Sequence, residues 1–340
     1  MPPFLVLFMN SVCNTRCNHC FYWDSLNRKT DLTFTELAAL SRSLGPLENL
    51  NLSGGEPFLR PEFAEICEQF IDNNRTRQIF CPTNGYFTEK THAQVRQVLR
   101  HARLDLFTLE LSIDGSAEFH DRFRGKPGSF ERILETYDML AELQSAYPQL
   151  QIHAITTATA ENVGEIVPLS EFLYERCPQM NRHNIALLRG ERKRASLDGP
   201  PIAAYAQAAG RVAHIWTARK NRAAAHLVDP LLHWAKAETC RLSAQAVPCR
   251  AGILTAVVHA NGDVSLCEQH PPLGNLRRQS FPQIWHSPEA VQLRRRIWNN
   301  QCCCTNEIFL WASLAFQPVP LLKAICATGS FSPALRTLAE

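Results

Sequence analysis

Three cysteines near the start constrain this 340-residue chain most: Cys13, Cys17 and Cys20, spaced C-x3-C-x2-C just after an apolar run. That run, Phe4 to Met9, reads as a first strand. It lacks the basic stretch and small-residue cleavage site of a secretory signal. The chain holds thirteen cysteines, an odd count. In a chain expected to be cytoplasmic, they point to metal or redox chemistry and not to a disulfide framework. The fold must therefore present three thiols on one loop. Three thiolates cannot close a tetrahedral zinc site without a fourth ligand, and His19, set between two of them, has poor reach. A [4Fe–4S] cluster on three cysteines instead leaves one iron open to a ligand.

Two further motifs lie at the ends of strand-like segments. Leu50-Asn51-Leu52-Ser53 alternates and runs into Gly54-Gly55-Glu56-Pro57. Paired glycines there let the backbone approach a ligand closely, and Glu56 offers an acceptor for a cation. Leu109-Glu110-Leu111-Ser112-Ile113-Asp114-Gly115 is followed by His120-Asp121-Arg122-Phe123-Arg124-Gly125. Asn84, in Pro82-Thr83-Asn84-Gly85, falls at the end of the strand between them, where a plain surface turn would read the same way.

Taken together, CNTRCNHC with the aromatics Phe21, Tyr22 and Trp23, the GGEP turn and the S-x-D-G strand end resemble the radical S-adenosylmethionine (SAM) enzymes. The resemblance implies that Cys13, Cys17 and Cys20 hold a catalytic [4Fe–4S] cluster that chelates SAM. By the same resemblance His19 lies near the adenine, Tyr22 is a further cofactor-binding residue, and Gly54, Gly55 and Glu56 bind the methionine amino group. Ser112 and Arg124 hold its carboxylate, with Asp114 in the same motif and Arg122 as the rival arginine. Asn84 lines the pocket. Guanidinium suits a carboxylate through paired, charge-assisted hydrogen bonds. Arg189, in the basic stretch Arg189 to Arg194, is either part of a solvated loop or a SAM- or substrate-facing group.

Strands are expected near 4–9, 48–53, 77–82, 105–113, 150–157 and 184–188. Helices are expected near 33–44, 61–74, 88–101, 129–146 and 162–176, with Thr33 and Glu36 as a capping box and Pro61 in the first turn of the second helix. Repeated β-α alternation argues for a parallel sheet. With every motif at a strand's C-terminal end, it fits a partial (β/α)6, TIM-like barrel. The expected division is a barrel over 1–195, a helical linker over 196–240, a small hairpin-plus-helix domain over 241–310, and an apolar tail over 311–340 packing on the barrel.

The C-terminal part holds Cys249, a hairpin pattern LTAVVHANGDVSLC ending at Cys267, then Cys302, Cys303 and Cys304. It resembles the SPASM and twitch extensions of radical SAM enzymes, which bind auxiliary iron–sulfur clusters. The implied ligands are Cys249, Cys267, Cys302 and Cys304 around one auxiliary [4Fe–4S] cluster. Cys303 or Cys240 could replace one of them, and a zinc knuckle is the competing reading. In an extended run Cys302 and Cys304 face one side and Cys303 the other.

Basic and acidic residues nearly balance, 35 against 32, which gives no electrostatic case for nucleic acid. No apolar run is long enough to span a membrane. The resemblance implies an oxidoreductase-type enzyme that cleaves SAM to a 5′-deoxyadenosyl radical and abstracts hydrogen from an unactivated C–H bond. The auxiliary cluster would serve as electron conduit and a flavodoxin or ferredoxin as donor. A small polar metabolite is the expected substrate, with a modified peptide as the alternative and a non-catalytic iron–sulfur or zinc protein as the reading from another class.

Overall fold

Strands β1 (Phe4–Phe8), β2 (Asn49–Ser53), β3 (Gln78–Thr83), β4 (Leu106–Ser112), β5 (Leu150–Ala158) and β6 (Arg182–Leu187) run parallel, each beside its sequence neighbour. They belong to a computed structural model that describes residues 1–217 and 225–328. Between them come α1 (Phe34–Ser43), α2 (Phe63–Asn74), α3 (Thr88–Leu99), α4 (Ala117–Arg124), α5 (Ser129–Ala146) and α6 (Ile166–Arg176). This is the α/β architecture expected of a partial TIM-like barrel. One set of strand side chains, including Leu50, Ile79, Leu109 and Ile152, is buried in the apolar core. The alternate set faces inward, as the two-residue period of a strand requires.

Local chemistry sets several boundaries. Thr33 and Glu36 form the capping box at the start of α1. The second helix begins at Phe63 and not at 61, because Pro57–Leu59 forms a short 3-10 turn and Glu62 becomes the N-cap. The short helix α4 was not expected. It ends where Gly125 takes a left-handed conformation, φ +62°.

After β6 the chain forms α7 (Ile202–Thr217) and α8 (Ala225–Leu242), within the expected helical linker. Residues 218–224 of that linker lie outside the described residues. The hairpin follows as β7 (Thr255–Val258) and β8 (Asp263–Ser265), with Gly262 at φ +90° in its turn. Strand β7 pairs in parallel with β1, so the hairpin and the short β9 (Gly274–Asn275) extend the barrel sheet into nine strands. Then come α9 (Phe281–Trp285), α10 (Pro288–Trp298), α11 (Glu307–Ala315) and α12 (Pro318–Thr328). Leu310, Leu314 and Ala324 of the last two pack on Leu231, Leu232 and Ala235 of α8. Phe316 meets Phe4 edge-on at 5.9 Å. Of the apolar tail, 329–340 lies outside the described residues. Among the described residues no single helix is long and apolar enough to cross a membrane.

Candidate active site

The loop after β1 docks against the turn after β2 through backbone hydrogen bonds. Gly55 N–H donates to the Asn10 carbonyl at 2.9 Å and Glu56 N–H to the Val12 carbonyl at 2.7 Å. A Cβ on Gly55 would meet the Val12 oxygen at 2.1 Å, and one on Gly54, at φ +130°, would meet the Asn10 oxygen at 2.4 Å. The glycines thus admit the cysteine loop itself, a tighter demand than close approach to a ligand.

On that loop Cys13, Cys17 and Cys20 line one cavity of about 650 Å³. Thr15 Oγ1 lies 3.2 Å from the Cys13 sulfur and 3.4 Å from the Cys17 sulfur. Burial pushes the Cys13 thiol up to about 11 and Cys20 up to about 12, with the neighbouring thiols adding to both. Such thiols become thiolates when a metal supplies the compensating charge. Their convergence and burial fit an iron–sulfur cluster.

His19 and Tyr22 line the same cavity. His19 stacks on Phe123 with ring centroids 4.9 Å apart, and burial lowers it to about 4, so its ring is neutral. Tyr22 packs on Phe8 at 4.7 Å. The Glu56 carboxylate accepts from the Thr83 hydroxyl at 2.7 Å and from Asn84 N–H at 2.8 Å. The Asn84 side chain donates to Asn14 Oδ1 at 2.8 Å, so Asn84 is a buried cavity residue and not a surface turn.

Ser112 lines the cavity at the end of β4. Arg124 forms a buried ion pair with Asp114 at 2.8 Å, and its Nη1 lies 4.0 Å from the Cys17 sulfur. Burial would raise the Asp114 carboxyl, but Arg124 and the Thr157 N–H hold it below the usual carboxylate range. The rival Arg122 faces outward and pairs with exposed Glu118 at 3.7 Å.

The downstream Cys267 and Cys304 lie in sequence beside Glu268 and Asn306, which line the cavity. Cys249, Cys267, Cys302 and Cys304 raise one another's thiols, on top of the larger effect of burial. The N–H of Ala251 points to the Cys249 sulfur and that of Gln269 to the Cys267 sulfur, both at 3.4 Å. Donors of this kind favour cluster-bound thiolates. Cys303 is exposed, and Cys240 is half-buried beside it. Of the remaining four, Cys67, Cys81 and Cys177 are buried among apolar side chains and Cys326 is exposed.

Arg189 connects the two cysteine groups. Its guanidinium lies 4.8 Å from the Phe21 ring on the first loop and pairs at 2.8 Å with Glu268, which follows Cys267. Asn306, just past Cys304, donates to the same Glu268 oxygen at 2.9 Å. Glu268 and Asn306 were missed by sequence reasoning, since the Arg189 contact joins residues far apart in the chain.

Also missed was the polar lining of the barrel: Asn51 on β2, Glu110 on β4, His153 on β5, and Arg182 and Asn184 on β6. Parallel strands covered on both faces are usually near-continuous apolar runs. The polar residues alternating through NLNLS, LFTLELS and LQIHAITTA were the signal that an interior is kept open.

A family profile described as the radical SAM superfamily matches residues 7–171, and one described as an iron-sulfur cluster-binding domain, SPASM, matches 249–306. The chain belongs to the radical SAM superfamily. Among curated relatives, it is 28% identical to the AdoMet-dependent heme synthase of Methanosarcina barkeri over 319 residues, 86% of this chain and 85% of that protein. It is 31% identical to the GTP 3',8-cyclase of Pasteurella multocida over 138 residues, 38% of this chain and 41% of the relative. Its fold matches the crystal structure of Streptococcus suis SuiB with a TM-score of 0.63 at 14% identity, over 87% of this chain and 68% of that one. It likewise matches anSMEcpe with bound AdoMet and Kp18Cys peptide, TM-score 0.63 at 18% identity, over 88% and 84%. This radical SAM protein therefore takes SAM and two [4Fe–4S] clusters as cofactors.

Proposed function

We propose that this radical SAM enzyme abstracts hydrogen from an unactivated C–H bond of a small polar molecule enclosed in its barrel. The observation that carries the reading is the cavity of about 650 Å³, which joins Cys13, Cys17 and Cys20 to Glu268 and Asn306 beside the auxiliary cysteines. That volume falls in the range of small-molecule sites, and its lining mixes apolar walls with a few convergent polar groups. The heme synthase, matched along most of both chains, supports a small molecule as substrate. SAM and the first cluster, when bound, supply the hydrogen-abstracting radical.

In this reading Cys13, Cys17 and Cys20 hold the first cluster, Gly54, Gly55 and Glu56 shape the methionine end of the SAM pocket, and Arg124, charge-balanced by Asp114, faces the cluster loop. His19 and Tyr22 border the adenine. Cys249, Cys267, Cys302 and Cys304 would hold the second cluster. With all four cysteines as ligands no iron stays open, so that cluster would pass an electron and not bind substrate. The barrel over 1–195 then carries the SAM chemistry and 241–310 the electron path. A flavodoxin or ferredoxin is the proposed donor, and the cytoplasm suits thirteen free thiols. Peptide modification is the second reading, supported by the fold shared with SuiB and with anSMEcpe, which was crystallised with a peptide.

The test is anaerobic reconstitution, reduction, and assay of 5′-deoxyadenosine. Cys17→Ala should abolish SAM cleavage. Cys267→Ala should keep uncoupled cleavage and block product. Deuterium appearing in 5′-deoxyadenosine from a deuterated low-molecular-weight cell extract supports a small substrate; transfer from the peptide fraction alone would overturn it, and product from Cys267→Ala would remove the auxiliary role.

A further inference from the structure

The strand register stacks the inward-facing side chains in layers. One layer contains Pro82 on β3, Glu110 on β4, His153 on β5 and Arg182 on β6, each the direct partner of the next. In many barrels such a layer is filled by branched aliphatic side chains. Here Glu110, His153 and Arg182 line the cavity, with Asn184 one step above and Glu307 of α11 alongside.

Two ion pairs lie beside Glu110. Arg182 pairs with Asp229 of α8, and buried Lys236 of α8 pairs with Glu307. Asn184 Nδ2 donates to the Glu307 carboxylate. Among the described residues Glu110 has no ion-pair partner, although it is partly open to the cavity. The other titratable groups near it are His153, its register partner on β5, and Cys81 on β3. His233 of α8 lies near Arg182 and Lys236, and burial holds it well below its ordinary range, so it adds no charge.

We propose that Glu110, which lines the cavity without an ion-pair partner among the described residues, anchors a protonated amine of the substrate. The proposal rests on the reading that the cavity holds a small polar molecule, and it deepens that reading by naming the substrate's class: an amine-bearing metabolite. Burial first, then the nearby Glu307 carboxylate, raise the Glu110 carboxyl to about 7 against the opposing pull of Arg182 and Asn184. An ammonium seated against Glu110 would offset both effects. Its carboxyl would then ionise at lower pH, and binding would release a proton near neutrality. Arg182 keeps a buried Nε with no hydrogen-bond partner, so the same layer can also orient an acceptor on the same molecule.

The experiment uses the reconstituted holoenzyme with SAM and methylammonium as the probe. The carbonyl band of protonated Glu110 is isolated by infrared difference against Glu110→Gln and followed from pH 5 to 9. In methylammonium chloride its midpoint should fall by about one pH unit relative to sodium chloride at equal ionic strength, a tenfold change in proton affinity. Superimposed titrations in the two salts would overturn the proposal. Should Glu110→Gln not fold, the two-salt comparison on the unsubstituted enzyme, with isotope-edited glutamate to assign the band, decides alone. The parent reading fails separately, through missing 5′-deoxyadenosine or transfer of deuterium only from peptide.

Discussion

A methyl group on Gly55 would sit 2.1 Å from the Val12 carbonyl oxygen, a distance that no small shift of a flexible side chain can relieve, because the obstacle is backbone. The Gly54 position adds a left-handed φ of +130°. These two residues therefore fix where the cysteine loop lies relative to Glu56, before any cofactor is considered. Gly55→Ala should force the loop off the β2 turn, breaking the 2.7 Å bond from Glu56 N–H to Val12. The expected loss is about 2 kcal/mol or more of stability. Reconstituted Gly55→Ala should also lose the EPR signal and iron of the first cluster while keeping those of the auxiliary cluster. Retention of both signals with unchanged stability would mean the close approach is dispensable.

At the scale of elements, the Arg189–Glu268–Asn306 contact ties the end of β6 to the residues beside Cys267 and Cys304, and Arg189 also covers Phe21 of the first loop. Its positive charge lies near Cys304 and would favour the reduced, more negative state of a cluster held there. Arg189→Met should lower the midpoint potential of the auxiliary cluster, read by EPR-monitored redox titration, and an unchanged or raised potential would separate the guanidinium from cluster tuning. The sequence disclosed the elements that this contact joins but not the contact. The six parallel strands were legible because strand-like runs recur with helical stretches between them, and all but the fifth end near a candidate ligand residue. The capping box at Thr33 and Glu36 marked a helix start by local chemistry alone. Helix α4 escaped because AEFHDRFR is short and mostly polar, and only its packing of Phe119 and Phe123 under Leu197 shows why it folds. Glu110 was visible inside the S-x-D-G strand, yet its partners depend on the register of three strands and on a helix close to two hundred residues away in the chain. A sequence without coordinates does not state such a register.

For the whole molecule, the hairpin joins the barrel sheet through β1 and β7, so both cluster regions share one core and one dependence on pH. Burial places His19 at about 4 and His120 at about 3, and holds His233, His259 and His270 below their ordinary range. Each stays neutral in the fold and takes a proton near pH 6.5 when unfolded, so stability falls as pH drops through that value. Glu56 and Glu110 act in the opposite sense, because burial makes the folded state hold their protons above the unfolded carboxylate range. Five imidazoles against two carboxyls leave the unfolded state binding more protons between about pH 6.5 and 4.5. Each net proton contributes a slope of about 1.4 kcal/mol per pH unit. Thermal unfolding of the reconstituted enzyme at pH 7.5, 6.5 and 5.5 should therefore show a falling midpoint. Acid release of iron would lower it too, and His19→Phe separates the two causes. A phenyl ring keeps the stack on Phe123 and removes the buried, unpartnered Nδ1, so the variant should lose about one proton's worth of slope while its iron content follows the same pH course. An unaltered slope in His19→Phe would assign the acid sensitivity to the clusters and not to the buried imidazoles.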